Sequence, residues 1–160
     1  MNATQTNVKS EWNHFFAIVN TDDDWIVPML HAVEGVTAEE AFWRPGGAVA
    51  SIADISLHAT GWLEATLREL MGLPSEQNVD WPPAPEPDEN AWQAISKRLR
   101  DTIGELSRAL YNLKLDQLLS SPGANGETRS TLLTNILVHT AYHAGQIVKL
   151  RQAFAATAAA

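Results

Sequence analysis

The amino-acid sequence predicts an all-α protein that folds as a four-helix bundle. Apolar residues recur three and four positions apart over several long stretches, which is the period of an amphipathic helix. Residue types that favour helix starts and stops flank those stretches. The chain has 160 residues and 45% hydrophobic content, which suits one globular domain with a buried core. We therefore predict a single domain over residues 1–160.

Composition argues against several classes of function. The formal net charge is -8, and eleven Lys and Arg residues do not supply the basic surface that nucleic acid or anionic lipid requires. Cysteine is absent, so a transition-metal site would have to use His, Asp or Glu. The chain opens without a signal-peptide pattern, and no apolar run approaches the roughly 20 residues that span a bilayer. We expect a cytoplasmic protein that binds neither nucleic acid nor membrane.

The first helical region has a recognisable break. Its apolar residues at helical spacing are Trp12, Phe15, Val19, Ile26, Leu30 and Val33. Aspartates at 22–24 and Pro28 interrupt the pattern, because proline kinks a helix interior. We predict two segments or one bent helix. After Gly35 the period is lost, and Gly46 with Gly47 predicts a short turn of helix followed by a loop.

The second long helix has marked ends. Ser51 and Asp54 have the spacing of a capping box, and Gly72 with Pro74 predicts the stop. Residues 74–88 then include five prolines. This composition cannot keep a helix, so it predicts a stiff, partly extended connection to the third helix.

The third helix is the clearest amphipathic segment, and Asp88 is its predicted N-cap. Its apolar stripe comprises Trp92, Ile95, Leu99, Ile103, Leu106 and Leu110. A turn-rich loop, SSPGANGETR, follows it. We predict that a fourth helix begins near Ser130 or Thr131 and runs to about Phe154, with a frayed tail over 155–160.

Histidines occupy stripe positions where apolar residues are expected. The stripe of the fourth helix comprises Leu132, Ile136, His139, His143, Gln146 or Ile147, and Leu150. His139 and His143 are four residues apart, which places their Cβ atoms roughly 6 Å apart, a distance that one metal ion can bridge. His58 lies on the stripe of the second helix. Helical phase alone does not distinguish metal ligands from core histidines that are hydrogen-bonded to the protein. His14 and His31 lie off the apolar stripe, so we exclude them as ligands.

Two segments resemble the DinB-like, or YfiT-like, four-helix bundles, a superfamily of metal-dependent hydrolases that includes thiol-dependent transferases. The first is FWRPGGAVASIADISLHATGW, which leads to His58, and the second is HTAYHAGQIVKLRQ, with its His-x-x-x-His-x-Gly-Gln core. The resemblance implies an up-down-down-up order of helices and a homodimer. It also implies a divalent metal held by His58, His139 and His143. Nickel or zinc is expected, and manganese or iron are further candidates.

Three imidazoles without a fourth protein ligand leave coordination positions open. Such a metal could lower the pKa of bound water, leading to hydrolysis, or bind a substrate thiolate, leading to sulfur transfer. We therefore predict a metal-dependent enzyme of detoxification or small-molecule metabolism, either a hydrolase or a transferase of a low-molecular-weight thiol. The alternative is a non-enzymatic bundle whose histidines form a structural metal site or a polar core, and which acts in protein association.

Further side chains are placed near the predicted site. Gln146 follows His143 by three residues, and Tyr142 follows His139 by three, so either can hydrogen-bond there. Trp62, one turn after His58, can wall the pocket. Ordinary packing also explains each of them. Asp54 can orient the ring of His58, but its capping role already accounts for it. Gly145 is predicted to permit close approach of another helix.

Overall fold

The structure is a computed structural model, and the described part of the chain contains seven helices joined by turns and loops. The structure describes residues 3–47, 49–74, 78–120 and 127–158. In chain order the helices are α1 (Ala3–Asn20), α2 (Met29–Ala32), α3 (Ala38–Phe42), α4 (Ile52–Leu70), α5 (Glu89–Asn112), α6 (Leu115–Ser120) and α7 (Arg129–Ala158). Within these ranges, none of the helices combines the length and the apolar character that crossing a bilayer requires.

The four long helices, α1, α4, α5 and α7, enclose a common apolar core. Helix α4 packs against α5 and α7, and α1 contacts the same two neighbours. Completely buried side chains from several helices fill the space between them, among them Leu63, Leu99, Leu137 and Ile147. The all-α prediction is confirmed. The up-down-down-up order of helix directions stays a prediction.

The predicted break in the first helical region takes the form of two separate helices. Helix α1 ends at Asn20, and α2 begins directly after Pro28, which provides the extended residue before the helix. Val19 faces the core as predicted, but Phe16 is buried in place of Phe15, which is 41% exposed. Ile26 belongs to the non-helical link, so it loses the helical phase that the sequence suggested and remains partly exposed.

Helix α4 begins at the predicted capping box. The Oγ of Ser51 accepts from the backbone N–H of Asp54, and Asp54 Oδ2 accepts from the backbone N–H of Ser51 at 2.7 Å. Arg44 forms a 2.6 Å ion pair with the same Asp54 oxygen, which ties the preceding loop to the start of the helix. At the other end Gly72 adopts a φ of 69°, a left-handed conformation that glycine reaches without strain, and the helix stops as predicted.

Helices α5 to α7 follow the prediction with three differences. The Asp88 cap and the buried stripe of α5 are confirmed, but α6 was not predicted. The loop residues 121–126 lie outside the described part. Helix α7 begins at Arg129 and continues to Ala158, beyond Phe154, and fraying of the last residues stays a prediction. Its core phase includes Leu133, whereas the predicted Leu132 is only half-buried because it lies at the edge of a cavity.

Gly145 of α7 has no close neighbour within the described part of the chain. It is exposed, and a Cβ atom built at this position would meet nothing within 4 Å. The expected approach of another helix at Gly145 is therefore not made by these residues. The homodimer also stays a prediction, because the structure describes one chain.

We expect Ser51→Ala to lower the free energy of unfolding by about 1 kcal/mol, because the first turn of α4 loses a capping acceptor. Urea unfolding followed by circular dichroism measures the change. Ser107→Ala, on the exposed face of α5, is the matched control and should stay within about 0.5 kcal/mol of the parent chain. Equal unfolding midpoints for the two variants would contradict the capping role.

Candidate metal centre

The structure brings the three predicted histidines together where α4 packs against α7. His58 comes from α4, and His139 and His143 lie one turn apart on α7. The Nε2 atom of His139 is 3.0 Å from the Nε2 atom of each of the other two rings. One ring nitrogen from each residue lies within 4.8 Å of the others, so the group could hold a metal ion. No further side chain joins this group in the described ranges.

Hydrogen bonds on the outer side of two rings direct their lone pairs inward. The Nδ1–H of His58 donates to the backbone carbonyl oxygen of Asp80 at 2.5 Å. Because a carbonyl oxygen only accepts, this bond leaves the Nε2 of His58 as a lone pair. The Nδ1–H of His143 donates to Oε1 of Gln146 at 2.7 Å, with the same consequence. Two imidazole lone pairs therefore face each other across the ring of His139.

His139 has the central position and the least support. Its Nε2 can donate its proton to one of the two facing lone pairs, while its Nδ1 is buried and has no hydrogen-bond partner among the described residues. For a cation to bind at all three Nε2 atoms, His139 would have to carry its proton on Nδ1 instead, so that its Nε2 would offer a third lone pair. An ion about 2.0–2.1 Å from each nitrogen in tetrahedral geometry separates the nitrogens by about 3.3 Å. The 3.0 Å separations around His139 are close to this value, so the donor set fits a divalent metal.

The surroundings favour neutral imidazoles, which are the form that binds a metal. The pKa of His139 falls from 6.5 to about 4, mainly because the ring is buried. Repulsion from the imidazoles of His143 and His58 acts in the same direction, and the Asp80 carboxylate opposes it. Burial also lowers the pKa of His143, although its hydrogen bond with Gln146 acts in the opposite direction.

Asp80 and Trp81 reach the site from the proline-rich connection, for which the sequence predicted only a link between two helices. The carbonyl of Asp80 binds His58, and the indole of Trp81 stacks on the same imidazole with 4.0 Å between ring centroids and 7° between planes. Two prolines follow at once and restrict the backbone. In the sequence, an acidic residue and an aromatic residue stand immediately before these two prolines, and this pattern could have indicated a contact with the site.

The three additional candidates contact the site in different ways. Gln146 binds His143 directly, and its Nε2 donates to the Tyr142 hydroxyl at 2.9 Å. Tyr142 is 63% exposed, and its ring also lies edge-on to His143 with 5.2 Å between ring centroids. Trp62 is 40% exposed, so it is no ordinary core residue, and its Nε1–H donates to Asp80 Oδ1 at 2.9 Å. Asp54 binds Ser51 and Arg44, as its capping role predicts, and His14 and His31 are exposed.

A cavity of about 440 Å³ opens beside the histidines. His58 and His139 form part of its wall. Its apolar lining comprises Trp62, Ala65, Leu132 and Ile136, and its polar lining comprises Thr66, Glu69, Asp80, Glu127 and Asn135. The described lining contains no Lys or Arg. A small molecule in this cavity would contact two of the three imidazoles and an acidic, partly aromatic wall.

Comparison with known proteins identifies the family. A family model described as the DinB superfamily matches residues 28–147, three quarters of the 160-residue chain. The matched range contains all three histidines and the proline-rich connection, and it leaves out α1. Searches of curated proteins and of solved structures gave no match.

We expect the chelator-treated protein to lose stability as the pH falls from about 6.5 to about 4. The pKa of His139 is about 4 in the folded chain and 6.5 without the fold. The unfolded chain therefore takes up the proton first, and stability is complete above 6.5 and declines below it. His139→Gln should make this part of a plot of urea midpoint against pH less steep, with the remaining slope due to the lowered pKa of His143, whereas His14→Gln should leave the slope unchanged. Identical profiles for parent and His139→Gln would contradict the assignment.

Proposed function

We propose that this chain, which belongs to the DinB superfamily, is a metal-dependent enzyme whose divalent cation is held by His58, His139 and His143. The observation that carries the proposal is the convergence of three Nε2 atoms, two of which have their lone pairs turned inward by bonds at Nδ1. Imidazole ligands suit nickel and zinc, and manganese or iron are further candidates.

An open site supports a catalytic role over a structural one. Structural zinc sites are closed by four protein ligands, whereas catalytic sites keep a position for water or substrate. Three histidines with a cavity beside two of them match the second kind. When bound, the cation supplies Lewis acidity, which activates water for hydrolysis or holds a thiol sulfur in its deprotonated form for transfer. Both reactions belong to the proposal, as a hydrolase or a thiol-dependent transferase.

The cavity indicates what the chain's own residues contribute. Trp62, Leu132 and Ile136 would pack against an apolar substrate body. The Asp80 and Glu127 carboxylates, with no Lys or Arg in the described lining, disfavour a substrate whose negative charge lies far from the cation. Because the chain has no cysteine, a transferred sulfur would have to come from a low-molecular-weight thiol. A neutral or cationic molecule with an apolar body fits this lining best.

Metal content tests the ligand assignment. Protein purified without a histidine tag is expected to bind about one Ni²⁺ or Zn²⁺ per chain, measured by elemental analysis after removal of loose metal. His139→Ala should abolish binding, whereas His31→Ala, which removes an exposed histidine, should keep the parent stoichiometry. Less than about 0.1 ion per chain after addition of Ni²⁺, Zn²⁺ and Mn²⁺ would overturn the proposal.

The visible spectrum of the Co²⁺ form tests the open position. A small thiol that reaches the cation should change the spectrum, and the change should saturate. Asn135→Trp would fill the cavity mouth, so it should suppress the change while the Co²⁺ content stays the same. Thr134→Trp, at the neighbouring exposed position outside the lining, is the control and should behave like the parent chain.

The Co²⁺ spectrum, together with the melting temperature before and after chelation, separates the enzyme from the non-enzymatic alternative. A structural site predicts no response to cysteamine, β-mercaptoethanol or azide, and a loss of many degrees in melting temperature on chelation. An open site predicts a spectral response and a smaller loss of melting temperature. A saturating response to azide but none to either thiol would favour hydrolysis over sulfur transfer.

A further inference from the structure

We propose that residues 78–81, which we call the strap, position the ring of His58 and thereby determine the cation affinity of the site. The inference rests on the proposed function for its cation, but its basis is a set of contacts within the chain. The strap is 22 residues from His58 in sequence, counted at Asp80, and it holds that ring on two sides. Asp80 and Trp62 would then act as positioning residues, since both act through His58.

The edge of the His58 ring is held by Asp80. The backbone carbonyl accepts the Nδ1–H at 2.5 Å, and Oδ1 of the same residue lies 3.3 Å from that nitrogen. Both acceptors favour a proton on Nδ1, so they favour the tautomer whose Nε2 lone pair is available to a cation. Without this partner the neutral ring could place its proton on Nε2, where it would block coordination.

The face of the ring is held by Trp81. The two rings are nearly parallel with 4.0 Å between their centroids, which restricts rotation of the imidazole about its last side-chain bond. That torsion has broad minima in histidine, so helix α4 alone does not fix it. The carbonyl of Asp80 and the indole of Trp81 together define both the plane and the in-plane orientation of the imidazole.

Helix α4 anchors the strap through Trp62, one turn after His58. The Trp62 indole N–H donates to Asp80 Oδ1 at 2.9 Å. Close by, Asn78 lies against Gly61, where a Cβ atom would be only 2.8 Å from the Asn78 Oδ1 atom. The absence of a side chain at Gly61 thus leaves room for the Asn78 amide against the helix. Trp62 holds the Asp80 side chain, and the position of that side chain determines where the carbonyl meets His58.

The other two histidines have no hydrogen bond to the strap among those found in the described residues, although the Trp81 ring also lies edge-on to His143, with 6.2 Å between ring centroids. His143 is bonded to Gln146 on its own helix, and the Nδ1 of His139 has no partner in the described part of the chain. His58 is therefore the ligand whose orientation is set by a segment outside the bundle helices. Displacing the strap should weaken cation binding without changing the identity of the ligands.

Cation affinity of four variants tests the inference. Asp80→Ala and Trp62→Phe each remove one partner of the anchoring bond, so each should raise the Zn²⁺ dissociation constant about 10- to 100-fold with one ion per chain retained. Asp80→Asn keeps an oxygen acceptor for Trp62 and should stay within about threefold of the parent. Glu86→Ala, an acidic-to-alanine change at an exposed position of the same connection, should leave the constant unchanged. Competition with a chromophoric chelator measures all four.

The histidine tautomers of the metal-free protein give a second readout that a general loss of stability would not mimic. Long-range ¹H–¹⁵N spectra of the parent should show His58 and His143 protonated on Nδ1, and His139 on Nε2. In Asp80→Ala and Trp62→Phe the His58 signals should shift toward a mixture of tautomers, while those of His143 keep the parent pattern. Thermal unfolding confirms that each variant is folded at the temperature of the spectra.

The outcomes separate the two proposals. Parent-like affinity and a parent-like His58 tautomer in folded Asp80→Ala and Trp62→Phe would overturn the strap inference and leave the proposed function in place. Failure of the parent chain to bind any cation would overturn the proposed function. The tautomer spectra alone would then decide whether the strap positions His58.

Discussion

The packing of α4 against α7 is the constraint on which the candidate site depends. It faces His58 toward two rings one turn apart on the opposite helix, and it does so within the apolar core. The start of α4 is fixed by the Ser51–Asp54 capping box, which in turn binds Arg44 of the preceding loop. A shift of α4 along its axis by one residue, about 1.5 Å, would separate nitrogens that now lie 3.0 Å apart.

The burial that makes three imidazoles costly in a core also prepares them to bind a cation. Lowered pKa values keep His139 and His143 neutral, so protons compete weakly for their nitrogens. Bonds to Asp80 and Gln146 orient two lone pairs inward before any ion arrives. Because of this preorganisation, the free-energy cost of burying and orienting the imidazoles is met when the chain folds rather than when the cation binds. The Nδ1 of His139 has no hydrogen-bond partner among the described residues, so this ring is the least oriented of the three.

Sequence patterns predicted what is local and periodic. The capping box at Ser51, the cap at Asp88 and the shared face of His139 and His143 all depend on residues within one or two helical turns, and the structure confirms these placements. The family resemblance was needed to join His58 to the pair. Asp80 and Trp81 were missed because their contacts cross a proline-rich segment that has no period. Phe16 and Leu133 show a smaller error, since a wide apolar stripe leaves helix rotation uncertain by one residue.

Because the strap lies outside the bundle helices, substitutions there should have different effects from substitutions in the helices. Residues on α4 and α7 carry the ligands and also the core, so most substitutions there would alter folding and chemistry together. Residues 78–81 lie on the surface of α4 in a connection that the bundle does not need for its core. Substitutions in this short segment can therefore alter the reactivity of a bound ion while the scaffold is preserved. Functional diversification on an unchanged bundle would have its simplest starting point there.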